Sequence, residues 1–363
     1  MPRIVMVTTG LGPGGAEAQV VRLSVELKRR GWDVAVISLL PAARRGEVEV
    51  FSLGMRAGRP DPRGFFRLAA LLRRLRPQIL HSHMFHANLL ARLARLVCPV
   101  PIVVSTLHSA AESARGAEGT RVRDLLYRLT DPLAGAVVEV SQAAADRHAA
   151  CGAASVGSLR VIPNGVDTGV FKPDAERRSR VRRELGAQGE FVWLAAGRLM
   201  WKKDYPTLLR AFARLRGGTL LLAGTGPQEA ELKRMAAELG GNVRFLGQVG
   251  DMAGLMNAAD GLAMSSVVEG LPVALLEAAA SGLPAVSTDA GGAREIVGDV
   301  VPAGDPEALA AAMEKLAALP ADQRERMGRE ARAMAVARFD VSVVVAQWEA
   351  TYRELLESAS QWT

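Results

Sequence analysis

Short runs of aliphatic and β-branched residues alternate along this chain with longer stretches whose apolar positions recur every three to four residues. In the first half the short runs predict strands at Arg3–Thr8, Asp33–Leu39, Val48–Leu53, Gln78–His81, Ile102–Thr106 and Ala136–Val140. The amphipathic stretches predict helices at Ala16–Arg30, Phe65–Leu75, Asn88–Val97, Arg121–Leu129 and Gln142–Ala150. The rhythm repeats in the second half, with strands at Phe191–Ala195, Leu220–Ala223, Val243–Leu246, Gly261–Ala263 and Ala285–Ser287 and helices between them. Such alternation implies parallel sheets covered on both faces, hence an α/β protein of two doubly wound units. Turn chemistry at Ile162-Pro163-Asn164-Gly165, followed by a charged helix at Arg177–Leu185, puts the boundary there, giving domains 1–165 and 166–340. The end of the chain, Ala321–Ser358, reads as two helices and no strand. Its last helix, near 341–363, carries Trp348, Tyr352, Leu355 and Leu356 at helical spacing, an apolar stripe that needs a partner.

The 363 residues are 49% hydrophobic and 23% charged, enough for two cores. Apolar runs such as Leu262–Val268 are far shorter than a membrane span. The start, Met1-Pro2-Arg3 and then Ile4–Val7, reads as a buried strand rather than a secretion signal. Two cysteines, Cys98 and Cys151, make no disulfide framework, and a cytoplasmic protein is expected. The charge is lopsided. Residues 1–165 hold 22 Lys and Arg against 12 Asp and Glu, and the remainder 23 against 26. A basic first half suits an anionic partner such as a phosphorylated acceptor, an anionic membrane surface or nucleic acid. It also suits helices that are merely well solvated, with arginines 67, 73, 74 and 76 on one of them.

Three segments carry chemistry. Gly10-Leu11-Gly12-Pro13-Gly14-Gly15 follows the first strand and matches G-x-G-x-x-G at Gly10, Gly12 and Gly15. Glycines there let backbone approach a phosphate at a helix N-terminus. A dinucleotide site also needs an acid at the end of the second strand, but Asp33 opens that strand. A second segment, Ser265–Glu277, joins a strand to a helix through Glu269, Gly270, Leu271 and Pro272, the proline suiting the first helical turn. Glu277 lies in the apolar run Val273–Ala280, where a buried carboxylate must be paired or meet a ligand such as a sugar hydroxyl. In the third, Gly197–Asp204, Arg198 and Lys203 sit in a strand-to-helix loop, where open α/β sheets bind ligands. A planar guanidinium and a point charge suit a diphosphate, and a solvated basic loop would look the same in isolation.

Together these segments resemble the retaining family 4 glycosyltransferases of the GT-B fold, bacterial polysaccharide and glycolipid enzymes with two Rossmann-like domains facing across a cleft. Glu269 and Glu277 match that family's E-x(7)-E element, and Arg198 and Lys203 its G-R-x(4)-K element. Gly14-Gly15-Ala16-Glu17 matches its glycine turn. Val161–Asp167 and Gly291-Gly292-Ala293-Arg294-Glu295 are also similar to family segments. The resemblance runs over nearly the whole chain and is shorter than the family norm at Leu40–Glu47, Arg216–Gly218 and Asp299–Pro302.

The resemblance implies roles. Glu277 would bind the donor ribose, and Glu269, in the loop with Gly270, Leu271 and Pro272, would sit beside the transferred sugar. Arg198 and Lys203 would hold the diphosphate from one side, with Gly14 and Gly15 approaching from the other domain. His108 would lie near the donor sugar, although such a residue is more often an ordinary loop histidine. His81 and His83 read as structural or cleft-lining. The last helix would cross back to the first domain. No Asp-x-Asp motif stands in a suitable loop, so no metal and no cofactor is expected. Side-chain cations and backbone N–H groups would offset the leaving-group charge. The expected reaction moves a sugar from a UDP- or GDP-linked donor to a carbohydrate or lipid-linked acceptor, with retention and without nucleic acid. It would take place in the cytoplasm or at the inner face of the membrane, with peripheral contact through the basic half. A nucleotide-sugar 2-epimerase of the same fold, an NAD-dependent Rossmann oxidoreductase and a basic nucleic-acid module are the alternatives.

Overall fold

The computed structural model describes residues 2–12, 14–42, 48–59, 61–109 and 116–360, the side chains of 116–118 excepted. Two compact units emerge. One is built from the chain up to Asn164 together with the segment from Val341 onward, the other from Gly165–Asp340.

The first unit holds strands β1 (Arg3–Thr8), β2 (Asp33–Ser38), β3 (Glu49–Ser52), β4 (Ile79–His83), β5 (Ile102–Leu107), β6 (Ala136–Glu139) and β7 (Leu159–Val161). They form one parallel sheet in the order β3-β2-β1-β4-β5-β6-β7. Its crossover helices are α1 (Gly15–Arg29), α2 (Pro62–Leu75), α3 (Phe85–Ala94), α4 (Gly116–Thr130) and α5 (Gln142–Ala150). Successive strand residues point to opposite faces. Ile4, Met6, Val34 and Val36 therefore pack against Val20, Leu23 and Leu27 of α1. Val5, Val7, Ala35 and Ile37 face Leu68 and Leu72 of α2 and Ala87 and Ala91 of α3. With both faces covered, β1 has no polar alternation and reads as a continuous apolar run.

Several helix boundaries differ from expectation for local reasons. α2 starts at Pro62 rather than Phe65, because the Asp61 carboxylate accepts the Arg63 N–H at 3.0 Å and proline fits the first turn. α3 starts at Phe85 and α4 at Gly116, both ahead of their apolar spacing. The edge strand β7 was not predicted; it is three residues long and not buried, so it lacks a periodic signal. Of the shortened segment Leu40–Glu47, residues 43–47 lie outside the described residues. The strand after it pairs in parallel with β2.

The second unit holds helix α6 (Ala175–Glu184), capped by Asp174, followed by β8 (Val192–Ala196), α7 (Tyr205–Phe212), β9 (Thr219–Ala223), α8 (Glu229–Leu239), β10 (Asn242–Gly247), α9 (Met252–Ala258), β11 (Gly261–Met264), α10 (Val273–Ala280), β12 (Ala285–Ser287), α11 (Arg294–Val297), α12 (Pro306–Ala318) and α13 (Ala321–Phe339). The parallel sheet runs β10-β9-β8-β11-β12. The abrupt link at Arg216–Gly218 works because Gly217 and Gly218 adopt φ of 86° and 92°. A Cβ at Gly218 would come within 2.9 Å of the Phe191 carbonyl oxygen. At Asp299–Pro302 a single bridge among the described residues, Thr288 to Val301, extends the sheet beyond β12.

The chain ends in α14 (Val341–Ser360), which belongs to the first unit. Val344, Val345, Trp348 and Tyr352 join the cluster built on Ile4, Met6 and Trp32. Glu349 accepts from Trp32 Nε1 at 2.8 Å and pairs with Arg30 at 2.9 Å. Arg160 grips Glu354 through two contacts of 2.6 Å.

Candidate functional site

In the second unit the strand order reverses between β8 and β11, which are neighbours. Ligands of doubly wound sheets bind where two such strands send their connections to opposite faces. The two connections leaving that point are Gly197–Asp204 and Ser265–Pro272, so the fold brings together Arg198, Lys203 and Glu269, which the sequence had picked out separately. Lys203 Nζ donates to Glu269 Oε1 at 2.5 Å, and both side chains are largely buried. Arg198 is exposed. Among the described residues it forms no ion pair.

The two loops are knit by backbone. Ser265 Oγ donates to the Lys203 carbonyl at 2.8 Å, and Val267 N–H to the Lys202 carbonyl at 2.8 Å. Gly197 sits at φ 152°, and a Cβ there would meet Lys203 Cε at 3.1 Å and Tyr205 Oη at 3.3 Å. Behind the lysine, Tyr205 donates its hydroxyl to the Gly197 carbonyl at 3.1 Å. Burial, and then the Glu269 charge, push its phenol well above the usual range. From the other side Gly292 N–H donates to the Gly270 carbonyl at 2.7 Å. A Cβ on Gly291, at φ 54°, would lie 2.3 Å from the Glu269 carbonyl oxygen. A third loop is equally close, since Cβ atoms on Gly224 and Gly226 would fall 2.0 and 2.2 Å from the carbonyl oxygens of Gly197 and Leu199. Tyr205, Gly224 and Gly226 are supporting residues that sequence reasoning missed, and Ser265, the first residue of the second segment, was given no role there. Gly224-Thr225-Gly226 directly after β9 was the available signal.

Pro272 stands one position earlier than expected, as the N-cap of α10 with extended backbone, and no side chain caps that helix. Leu275 N–H turns back to the Pro272 carbonyl at 3.1 Å, and ahead of it the N–H groups of Val273 and Ala274 have no intrahelical acceptor. Glu277 is half-buried, not buried as the apolar run implied. The covered face of α10 is Leu275, Leu276 and Ala278–Ala280, and Glu277 stands at its margin.

In the first unit the corresponding reversal lies between β1 and β4. Gly14 is the N-cap of α1 at φ −82°, and Gly15 is its first residue. A Cβ on Gly14 would lie 2.2 Å from Glu17 Oε2, so the carboxylate three residues on folds back over this helix N-terminus. Pro13 lies outside the described residues. Asp33 pairs with Arg3 at 2.6 Å at the start of β2, and β2 ends on Ser38, so no carboxylate closes that strand to bind a nicotinamide ribose.

The histidines of β4 and the loop after β5 form a column. His81 is wholly buried, with Nδ1 at 2.6 Å from the Tyr352 hydroxyl and Nε2 at 2.7 Å from Thr106 Oγ1. Rings stack at 4.0 Å between His81 and His83 and at 5.4 Å between His83 and His108. Burial, with a smaller contribution from His108, lowers the His81 pKa to about 3. The unfolded chain, near 6.5, then takes up a proton that the folded chain refuses, and stability is lost as pH falls below 6.5. Lowering the pH from 7 to 5 is expected to remove about 2 kcal/mol through His81. Melting curves of wild type and His81→Gln at both values check this, and equal acid sensitivity in the two would contradict it.

Known proteins are similar to this chain in sequence and fold. Residues 13–170 match Glycosyltransferase Family 4, and residues 190–318 match Glycosyl transferases group 1. A phosphatidyl-myo-inositol mannosyltransferase of Mycobacterium leprae is 28% identical over 96% of this chain and 95% of that protein. A GDP-mannose-dependent α-(1-6)-phosphatidylinositol monomannoside mannosyltransferase of Mycolicibacterium smegmatis is 34% identical over 223 residues, and that match spans 56% of each chain. Among solved structures, Anabaena HepE in complex with UDP-glucose superimposes with a TM-score of 0.85 at 24% identity, covering 98% of this chain and 100% of that one. The two parallel α/β units have the fold of the GT-B class. Within that class the chain belongs to the family 4 glycosyltransferases.

Proposed function

We propose that this enzyme transfers a hexose from a UDP- or GDP-linked donor to a carbohydrate or lipid-linked acceptor, with retention at the anomeric carbon and without a metal ion. The observation that carries the reading is the Lys203–Glu269 pair, with exposed Arg198 on the same loop, at the switch point of the second unit. Arg198 and Lys203 neutralise the diphosphate, helped by the uncapped N-terminus of α10 behind Gly270, Leu271 and Pro272. Glu277, at the margin of α10, accepts from the ribose hydroxyls. Glu269 releases part of its hold on Lys203 to the phosphate and turns to the transferred sugar. The bond between the anomeric carbon and the β-phosphate oxygen breaks. The acceptor oxygen bonds to that carbon on the same face, and its proton passes to the departing phosphate oxygen. In the first unit, the reading assigns an anion-approaching turn to Gly14 and Gly15 and a sugar-facing contact to His108.

Relatives that act on phosphatidylinositol mannosides support a lipid-linked acceptor. The basic balance of residues 1–165 supports peripheral contact with an anionic membrane from the cytoplasm. Among the described residues, no helix is long and apolar enough to cross a membrane. Calorimetric titration with UDP- and GDP-sugars and with the free nucleoside diphosphates, in excess chelator, tests the proposal. Glu277→Gln is expected to weaken the free diphosphate and the full donor alike, by about tenfold, as for one hydrogen bond to a charged group. Glu269→Gln is expected to weaken chiefly the full donor. No binding by any nucleotide sugar, or identical behaviour of the two variants, would overturn it.

A further inference from the structure

The column of imidazoles in the first unit ends in two nitrogens with no hydrogen-bond partner among the described residues. His81 has both nitrogens engaged, by Tyr352 and Thr106. His83, 2% exposed, turns Nδ1 toward His108 Nε2 at 3.1 Å, while its own Nε2 is buried without a hydrogen-bond partner among the described residues. His108 Nδ1 is likewise buried, with no partner among the described residues.

Two facing ring nitrogens at 3.1 Å hold one hydrogen between them, because two lone pairs or two N–H groups would repel. The tautomers of His83 and His108 are therefore tied together. If His108 donates, the unpaired N–H falls on His83 Nε2, sealed inside the sheet. If His83 donates, the unpaired N–H falls on His108 Nδ1, on the half-buried residue just beyond the end of β5, the less enclosed of the two residues. Either arrangement leaves one buried N–H without an acceptor among the described residues, and that defect costs less on the less enclosed residue at the strand end than inside the sheet, so the second arrangement wins. We propose that His83 is a positioning residue that donates through Nδ1 to His108 Nε2 and so fixes His108 in the form presenting an Nδ1–H donor. This inference rests on the assignment of His108 as a sugar-facing residue and adds what that residue offers: a donor aimed at a hydroxyl or ring oxygen of a sugar.

Two observations agree. Burial and the neighbouring histidines lower the His83 pKa, and burial lowers that of His108 to about 4, so both rings stay neutral and each has a defined tautomer at neutral pH. Met84, next to His83, adopts φ 69° and ψ 157°, a region that side chains avoid. The strain is held in place by Asn88 Nδ2 and Met84 N–H, both donating to the Thr106 carbonyl. Strained backbone directly beside the column marks the ring's position as one the fold enforces.

Long-range proton–nitrogen correlation spectra of the 15N-labelled full chain decide the matter without substrate. The five histidines are assigned by single substitution. His108 is expected as the Nδ1–H tautomer in wild type and in His83→Asn, whose amide nitrogen replaces Nδ1 as donor, and as a mixed or Nε2–H ring in His83→Phe. In transfer assays His83→Phe is expected to lose about tenfold in kcat/KM for the donor, and His83→Asn to stay within about threefold of wild type. An Nε2–H His108 in wild type, or an unchanged tautomer in His83→Phe, overturns the proposal. So does an equal loss of activity in both variants that follows a common loss of stability. Wild-type protein that transfers no sugar would overturn the proposed function, and the spectra would still decide the tautomer.

Discussion

Arg198→Ala and Lys203→Ala are each expected to slow sugar transfer by at least about tenfold, but only Lys203→Ala is expected to lower the melting temperature. In the proposed function each side chain would supply one charge-assisted contact to the diphosphate, about 1.5–3 kcal/mol, which corresponds to roughly ten- to hundredfold in rate. The two differ before any ligand binds. Arg198 is exposed and has no ion pair among the described residues, so its truncation falls in the class of surface changes worth within about 0.5 kcal/mol. Lys203 is 21% exposed and Glu269 15%. Removing the lysine strands a largely buried carboxylate beside Tyr205, and breaking such a pair from one side is destabilising by about 1–3 kcal/mol at this partial burial. The double variant Lys203→Ala with Glu269→Gln should recover much of the stability and none of the activity. Steady-state kinetics and melting curves on the same preparations measure both quantities. Unchanged kinetics in both single variants would remove the diphosphate clamp, and equal melting losses would remove the pair as a structural element.

The positions of the candidate donor-side residues were legible because they sit in short loops between unmistakable strands. Arg198 and Lys203 follow the apolar run Val192–Ala196, and Glu269 follows Gly261–Met264; neither connection has room to lie elsewhere than at the strand ends. What holds them was not legible. Tyr205 reads as an ordinary residue in the first turn of α7, and only tertiary packing puts its hydroxyl on the Gly197 carbonyl. Gly224 and Gly226 read as a turn, yet the absence of a Cβ there is what lets the neighbouring loop lie flat against them. The burial of Glu277 was overestimated from composition alone, because a run of eight apolar-rich residues has no face until a partner defines one. Periodicity failed in the same way at β7, whose three residues are too few and too exposed to alternate. His83 was one of three histidines near a strand end. Its relation to His108 exists only because β4 and β5 pair in register, His83 opposite Thr106.

Trp348→Ala is expected to be the most destabilising single change in the last helix, lowering the stability of the first unit by about 3–5 kcal/mol. The indole is 4% exposed, with its ring centre 4.5 Å from that of His81 and 5.6 Å from that of Tyr352. Helix α14 is remote in sequence from the strands it covers, with the whole of Gly165–Asp340 between them. Truncation leaves a void bounded by rigid strands, Ile4 and Met6 on β1 and Ile102 and Val104 on β5, which cannot collapse inward without breaking sheet register. For a unit of this size each kcal/mol shifts the midpoint by about 2–4 °C, so a fall of roughly 10 °C is expected in the transition of the first unit. Tyr352→Phe should do less, about 1–3 kcal/mol, since it keeps the ring and removes only the hydroxyl that meets His81 Nδ1. That variant also frees one end of the imidazole column while leaving the His83–His108 contact in place. Differential scanning calorimetry, with hydrogen exchange of β1 and β4 to identify the transition that moves, measures the effect. A chain shortened before Val341 that melts with the same profile as the full chain would show that α14 is not part of the first unit's core.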